Sequence, residues 1–275
     1  MTTTPAPSFG LIIIGDEILS GRRADKHLPK VIELLQARGL SLAWALCVGD
    51  ERPRITAALR DAFASGDAVF SCGGIGATPD DHTRQCAGAA LDRDLALHPT
   101  AQQRIEQRMR DTALEKGETF DAERPDNVHR YNMGVFPVGA RIIENPYNKI
   151  PGFTCDSPSG VGAVHFVPGF PVMAWPMIEA VLDGEYKAWH RINTWEERSV
   201  VVMGAMEASL TPLMEQIEHE HAVKVFSLPS VDHPQYGRHI ELGVKGEPQA
   251  VAPAYAQLMA GLQTFGAEIG PETVR

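Results

Sequence analysis

At 275 residues, 44% of them hydrophobic and 22% charged, the chain carries enough apolar material for a large domain plus a smaller one, which excludes global disorder. A formal net charge of -10 repels nucleic acid and anionic lipid at long range, so neither nucleic acid nor a membrane is an expected partner. The four cysteines form no C-x-x-C pair and the first apolar run lacks a basic leader, which fits free thiols in a reducing cytoplasm.

In chain order, FGLIII at 9–14 is a continuous apolar run of the kind that fills a strand buried on both faces. Residues 25–38 place Leu28, Val31, Ile32, Leu34 and Leu35 at helical spacing and stop at Gly39. Residues 40–48 read as a second strand, 53–64 as a helix, and AVFSC at 68–72 as a third strand. A glycine-rich loop follows, and then a helix at 84–91 with Thr83 as its expected N-cap.

Strand alternating with helix in this way predicts a doubly wound, mostly parallel α/β sheet. Ligands in such sheets sit outside the carboxyl ends of the strands, which gathers the loops at 15–21, 49–52 and 73–83. Residues 100–116 read as a polar helix, 117–130 as a loop or insert, and 141–144 and 163–167 as further strands joined by a long, proline-punctuated connector. After a helix near 172–182 comes a polar and aromatic boundary at 184–197. Beyond it the order β-α-β-β-α-β marks a small ferredoxin-like or KH-like α+β module. The domains are therefore expected at 8–184 and 198–275.

Chemistry concentrates at 73–83, Gly-Gly-Ile-Gly-Ala-Thr-Pro-Asp-Asp-His-Thr. Gly73, Gly74 and Gly76 permit a backbone turn whose N–H groups face an anion, reinforced by the positive end of the next helix. That field is worth only about 0.3–2 kcal/mol, so among so many carboxylates Asp80 and Asp81 make sense as ligands of a divalent cation or as ligand-orienting acceptors. The alternative, a tight turn whose acids compete to cap the helix, stays open. Gly15, Asp16 and Glu17 could line the same crevice or simply cap a turn, and Asp50 is either a site residue or an N-cap for the helix at Pro53. Lys149, between Pro146 and Pro151, is a phosphate contact or a solvated surface lysine. Trp175, Trp189 and Trp195 are read as packing residues, and the histidines show no metal-ligand spacing.

Taken together these segments resemble the molybdopterin-binding (MoCF) domain, as found at the N-terminus of competence/damage-inducible protein A, CinA. The matching motifs are G-x-E-x-L-x-G (Gly15, Glu17, Leu19, Gly21), V-x-D (Val48, Asp50) and G-G-x-G-x-T-x-D-D-x-T (Gly73, Gly74, Gly76, Thr78, Asp80, Asp81, Thr83). They continue with N-P-x-x-K-x-P-G-F (Asn145, Pro146, Lys149, Pro151, Gly152, Phe153) and P-G-x-P (Pro168, Gly169, Pro171). Ala77 stands where a proline is common, and no stretch matches the amidohydrolase domain of full-length CinA, so nicotinamide-nucleotide deamidation is not implied.

The resemblance implies a small-molecule ligand, a phosphate-bearing nucleotide or a pterin such as molybdopterin, and a homo-oligomer, dimer or trimer. It implies one of two activities. The first is metal-dependent hydrolysis of a nucleotide pyrophosphate of the ADP-ribose or FAD type, with Asp50, Asp81 and Lys149 catalytic and Asp50, Asp80 and Asp81 on the metal. The alternative is molybdopterin binding in molybdenum-cofactor synthesis without hydrolysis. In either case Gly15, Glu17, Gly73, Gly74, Gly76, Thr78, Thr83 and Asn145 are expected to contact the ligand.

Overall fold

A computed structural model describes residues 7–190 and 195–274. The described chain separates into a larger unit ending at His190 and a smaller one from residue 195 onward. Part of the segment read as the boundary, residues 191–194, lies outside the described residues.

The larger unit begins β1 (Phe9–Ile14), α1 (Asp16–Leu19), α2 (His27–Gln36), β2 (Leu42–Val48), α3 (Arg52–Ser65), β3 (Ala68–Cys72) and α4 (Thr83–Leu91). It continues with β4 (Leu95–Leu97), α5 (Pro99–Glu115), α6 (Pro125–Arg130), a 3-10 turn (Tyr131–Gly134), β5 (Val135–Pro137), β6 (Arg141–Ile143), β7 (Gly152–Asp156), β8 (Ala163–Val167) and α7 (Pro171–Glu185). The main sheet runs β2-β1-β3-β8-β7-β6. Its first four strands are parallel, and β7 and β6 are antiparallel additions.

Both faces of this sheet are covered, which is why β1 has no polar alternation. Ile12 and Ile14 face Ile55 and Leu59 of α3 and Cys86 and Ala87 of α4. Leu11 and Ile13 face Val31, Leu34 and Leu35 of α2 and Ala174, Met177 and Ile178 of α7. Trp175 and Trp189 pack against this second cluster, whereas Trp195 is exposed.

Three elements depart from the sequence reading. The connector after β6 contains β7, because Phe153 stacks between Phe136 and Phe166 with both ring centroids at 4.4 Å, a contact made with residues distant in sequence. The segment read as an insert holds α6, with Pro125 in its first turn. A two-stranded antiparallel sheet of β4 and β5 lies where no strand was expected.

The core also encloses a polar chain. His165 on β8 is fully buried, its Nδ1 2.8 Å from the Thr154 hydroxyl and its Nε2 2.8 Å from the Tyr186 hydroxyl. Burial pushes its pKa down to about 4 from 6.5. Below pH 6.5 the unfolded chain takes up a proton here that the folded chain refuses. The stability contribution is therefore complete above 6.5 and is lost as pH falls toward 4. Urea unfolding at pH 7 and pH 5 should differ by about 2 kcal/mol from this group alone. A His165→Gln variant should lose that part of the pH slope, and an unchanged slope would assign the effect elsewhere.

The smaller unit contains β9 (Glu196–Met203), α8 (Glu207–Glu220), β10 (Val223–His233), β11 (Gly237–Gly246), α9 (Pro248–Thr264) and β12 (Glu268–Val274). Its sheet order β10-β11-β9-β12, antiparallel throughout, is the ferredoxin-like split βαβ arrangement. Leu210, Leu213 and Ile217 of α8 and Val251, Leu258 and Leu262 of α9 cover Val200, Val202, Leu242 and Val244.

Candidate functional site

The loop after β3 is shaped by its own glycines. Gly73 and Gly74 have φ of 108° and 68°. A Cβ at Gly73 would lie 2.3 Å from the Ile14 carbonyl oxygen, and one at Gly74 would lie 2.1 Å from Thr83 Oγ1. At Gly76 the constraint is different: a Cβ would meet the Asp81 carboxylate at 2.6 Å. Each of the three signature glycines thus answers to a specific neighbour.

Four successive carbonyls of this loop are then tied to the start of α4. The Gly73 oxygen accepts from Thr83 Oγ1 at 3.1 Å and the Gly74 oxygen from the Thr83 N–H at 3.0 Å. The Ile75 and Gly76 oxygens accept from one nitrogen of the Arg84 guanidinium, the latter at 2.7 Å. In a trans peptide the C=O and the following N–H point in opposite directions. Holding carbonyls 73 to 76 against α4 therefore turns the N–H groups of Gly74, Ile75, Gly76 and Ala77 outward, and among the described residues no acceptor engages them. The result is a nest: a row of four backbone donors turned away from α4.

Thr83, expected as an N-cap, is the first residue of α4; His82 occupies the cap, and the Thr83 hydroxyl serves the loop instead. Arg84 was not singled out in the sequence. It is only 4% exposed, and burial draws its pKa down while the nearby Asp81 carboxylate opposes that shift. Its place directly after Thr83, the last residue of the signature, is the signal that marks it.

The acids divide into roles. Asp81 Oδ2 accepts from Thr78 N at 2.8 Å and Thr78 Oγ1 at 2.5 Å, closing the loop on itself. Asp50 Oδ2 accepts from the Asp16 N–H at 2.9 Å, and the Asp50 N–H donates to Asp16 Oδ1 at 3.1 Å. This reciprocal clasp joins the loops after β1 and β2; the cap of α3 is Glu51, not Asp50. Partial burial raises the Asp50 pKa, as do Asp16, Glu17 and Asp80, against the opposing backbone bond. Among the described residues no three His, Cys, Asp or Glu side chains are gathered closely enough to hold a metal ion. Of the three expected metal ligands, Asp50 is turned to the Asp16 N–H of the neighbouring loop and Asp81 to the backbone and hydroxyl of Thr78 in its own.

These loops enclose a crevice of about 690 Å³ lined by Gly15, Glu17, Asp50, Gly73, Gly74, Gly76, Thr78, Asp80, Asp81 and Asn145. Ile14, Ile75, Ile150, Met133, Met173 and Phe170 supply its apolar wall, and Arg22 and Arg23 its positive charge. A second lobe of about 310 Å³ shares Ile14, Glu17, Arg23, Gly169 and Phe170 with it.

Two residues matched to the N-P-x-x-K motif behave otherwise than expected. Lys149 is not among the residues lining the crevice; its Nζ pairs with Asp111 of α5 at 2.6 Å. Asn145 lines the crevice but uses its side chain to brace its own turn, accepting from Tyr147 N at 3.0 Å and donating to Ile150 O at 2.9 Å. The cations beside the nest are instead Arg22 and Arg23, in no ion pair among the described residues, and the signal for them was the pair of arginines directly after Gly21.

The chain thus presents a doubly wound, mostly parallel α/β domain whose glycine-rich and acidic loops line a crevice at the carboxyl edge of its sheet. The family described as a probable molybdopterin binding domain matches residues 10–188, and the chain belongs to it. A protein of Pyrobaculum calidifontis is 28% identical over 238 residues, spanning 85% of this chain and 86% of that protein. A CinA-like protein of Citrifermentans bemidjiense is 30% identical over 209 residues, spanning 74% of this chain but only 46% of the relative, so the chain covers under half of that protein's length. The crystal structure of the protein CinA, of unknown function, from Thermoplasma acidophilum superimposes with a TM-score of 0.54 at 27% identity, covering 64% of this chain and 97% of that one. No described helix is long and apolar enough to cross a membrane.

Proposed function

We propose that the crevice binds a phosphate-bearing pterin of the molybdopterin type, without turnover being required. The observation that carries this reading is the set of four outward N–H groups from Gly74 to Ala77, held open by Thr83 and Arg84. A volume of about 690 Å³ suits a ligand of that size. The phosphate lies on the nest, beside Arg22 and Arg23, and the apolar wall of Ile14, Met173 and Phe170 takes the flat ring. Protein purified from a pterin-producing host should carry pterin fluorescence, and calorimetry should detect a phosphate-bearing pterin but not its dephosphorylated form. Equal affinity for both would remove the nest from the account.

A second reading rests on Asp50. Burial first, and then the carboxylates of Asp16, Glu17 and Asp80, raise its pKa, and a divalent cation would relieve that crowded negative charge. Magnesium commonly needs only one or two carboxylates when substrate phosphates complete its shell. A cation held there would polarise a phosphoryl oxygen for hydrolysis of a nucleotide pyrophosphate of the ADP-ribose or FAD type. Incubating ADP-ribose, FAD and NAD with several divalent metals and assaying released nucleoside monophosphate separates the two readings. Turnover that Asp50→Asn abolishes favours hydrolysis, and absence of product with every metal excludes it.

A further inference from the structure

The smaller lobe beside the crevice carries a carboxylate and two cations that do not meet. Glu17, Arg23 and Lys26 all line it, and among the described residues neither cation pairs with Glu17 or with any other carboxylate. Glu17 is half-buried, and its side chain takes part in no hydrogen bond among the described residues. The carboxylate folds over Gly15, where an added Cβ would lie 2.6 Å from Oε2, so the glycine is what lets it lie there.

The rest of the lobe is apolar and fixed. Ile13, Ile14 and Ile18 form one side and Phe170 another. His27, only 5% exposed, donates from Nε2 to the Gly169 carbonyl at 2.9 Å, which pins the turn carrying Phe170 to the start of α2. The first N–H groups of α2 are not available to an anion, because the Asp25 carboxylate accepts from His27 N at 2.8 Å and Leu28 N at 2.9 Å. With that carboxylate and Glu17 beside it, the lobe is no second phosphate site. It shares Ile14, Glu17, Arg23, Gly169 and Phe170 with the crevice, so its occupant is the far end of the ligand whose phosphate meets the nest.

We propose that this lobe reads the edge of the ligand's ring, and that Glu17 determines its specificity by accepting two parallel hydrogen bonds from a ring N–H and the adjacent amino group. This rests on the crevice being the site of a phosphate-bearing pterin and extends that reading from the phosphate to the ring. A pterin carries such a pair of donors, and so does guanine; the pair meets a carboxylate in the same fork as a guanidinium does. The neighbouring ring carbonyl then accepts from Arg23 or Lys26, which completes a pattern of two donors and one acceptor. Adenine sets a ring lone pair beside its amino group and would face the Glu17 oxygens with a repulsive acceptor.

Calorimetry on the full chain with two matched pairs tests this. One pair is hydroxymethylpterin phosphate and the lumazine phosphate that has oxygen in place of its amino group; the other is GMP and IMP, which lacks the amino group. The wild type should prefer the amino-bearing pterin by about tenfold or more. Glu17→Gln should erase that preference, because an amide offers one acceptor and turns a donor toward the other N–H. Equal affinity within both pairs, or a preference that survives Glu17→Gln, would overturn the proposal and leave the phosphate site standing. A preference within the GMP pair without binding of either pteridine would keep Glu17 as the reader of the edge and remove the pterin reading. Binding of none of the four would overturn both. If Glu17→Gln fails to fold, the two pairs measured on the wild type decide alone.

Discussion

Gly73→Ala should abolish binding of a phosphate-bearing ligand. The native φ of 108° lies in the region L-residues avoid, which costs about 1–3 kcal/mol by itself. The larger effect is positional. The new Cβ would sit 2.3 Å from the carbonyl oxygen of Ile14, a backbone atom at the end of a fully buried strand that cannot rotate aside. The loop must therefore shift by most of an ångström and carry the N–H groups of Gly74 to Ala77 with it. Losing two charge-assisted hydrogen bonds, each worth about 1.5–3 kcal/mol, lowers affinity by more than about a hundredfold. Gly117→Ala is the control. Its φ of 69° is similarly unfavourable, but no atom lies within 4 Å of the added Cβ, so it should cost about 1 kcal/mol of stability and leave binding untouched. Calorimetry with a phosphate-bearing pterin, beside thermal melts of both variants, checks the pair. Wild-type affinity in Gly73→Ala would show that the nest is not where the anion sits.

Arg84→Ala should weaken the same ligand about ten- to a hundredfold, although the side chain lies behind the loop and not in the crevice. Its guanidinium supplies the donor for two consecutive carbonyls, and without it the Ile75 and Gly76 peptide planes are free to turn. Either rotation presents an oxygen to the phosphate where an N–H had been. A general loss of packing would lower stability and affinity together and would not respond to small cations. A lost positioning donor should instead be restored in part by millimolar methylguanidinium, which fits the vacated space. Arg84→Lys should recover little, because an ammonium is more strongly hydrated than a guanidinium and costs more to bury behind the loop. No rescue, with affinity tracking stability across the variants, would reduce Arg84 to a packing residue.

The two substitutions act on the same loop, one through the glycine that sets the turn and the other through the donor that holds two of its four carbonyls. Their effects should therefore be less than additive, which a double-mutant comparison of binding energies would reveal.

Much of the architecture was legible in the residues. FGLIII and AVFSC declare buried parallel strands because two-sided burial tolerates no polar alternation. The run of glycines declares a backbone that approaches its neighbours closely, and the loop fulfils that at Gly73 and Gly74. The β-α-β-β-α-β order after residue 195 was visible for the same reason, since period and turn chemistry are properties of neighbours in sequence. β7 was not legible. Five residues carry too little periodicity, and its strand form depends on β8 and β6 lying alongside.

The site divides along the same line. Which residues stand at the carboxyl edge follows from the order of strands and loops, and so from the sequence. Which of their side chains face a ligand does not. Lys149 lies within one motif and Arg84 directly follows another, but Lys149 meets Asp111, 38 residues away, and Arg84 turns back on carbonyls eight and nine residues before it. The same holds for Asp50, claimed by a backbone N–H 34 positions earlier. Local chemistry writes the menu of charges and turns, but partners separated along the chain compete for each polar group, and only the folded geometry decides which of them reaches it.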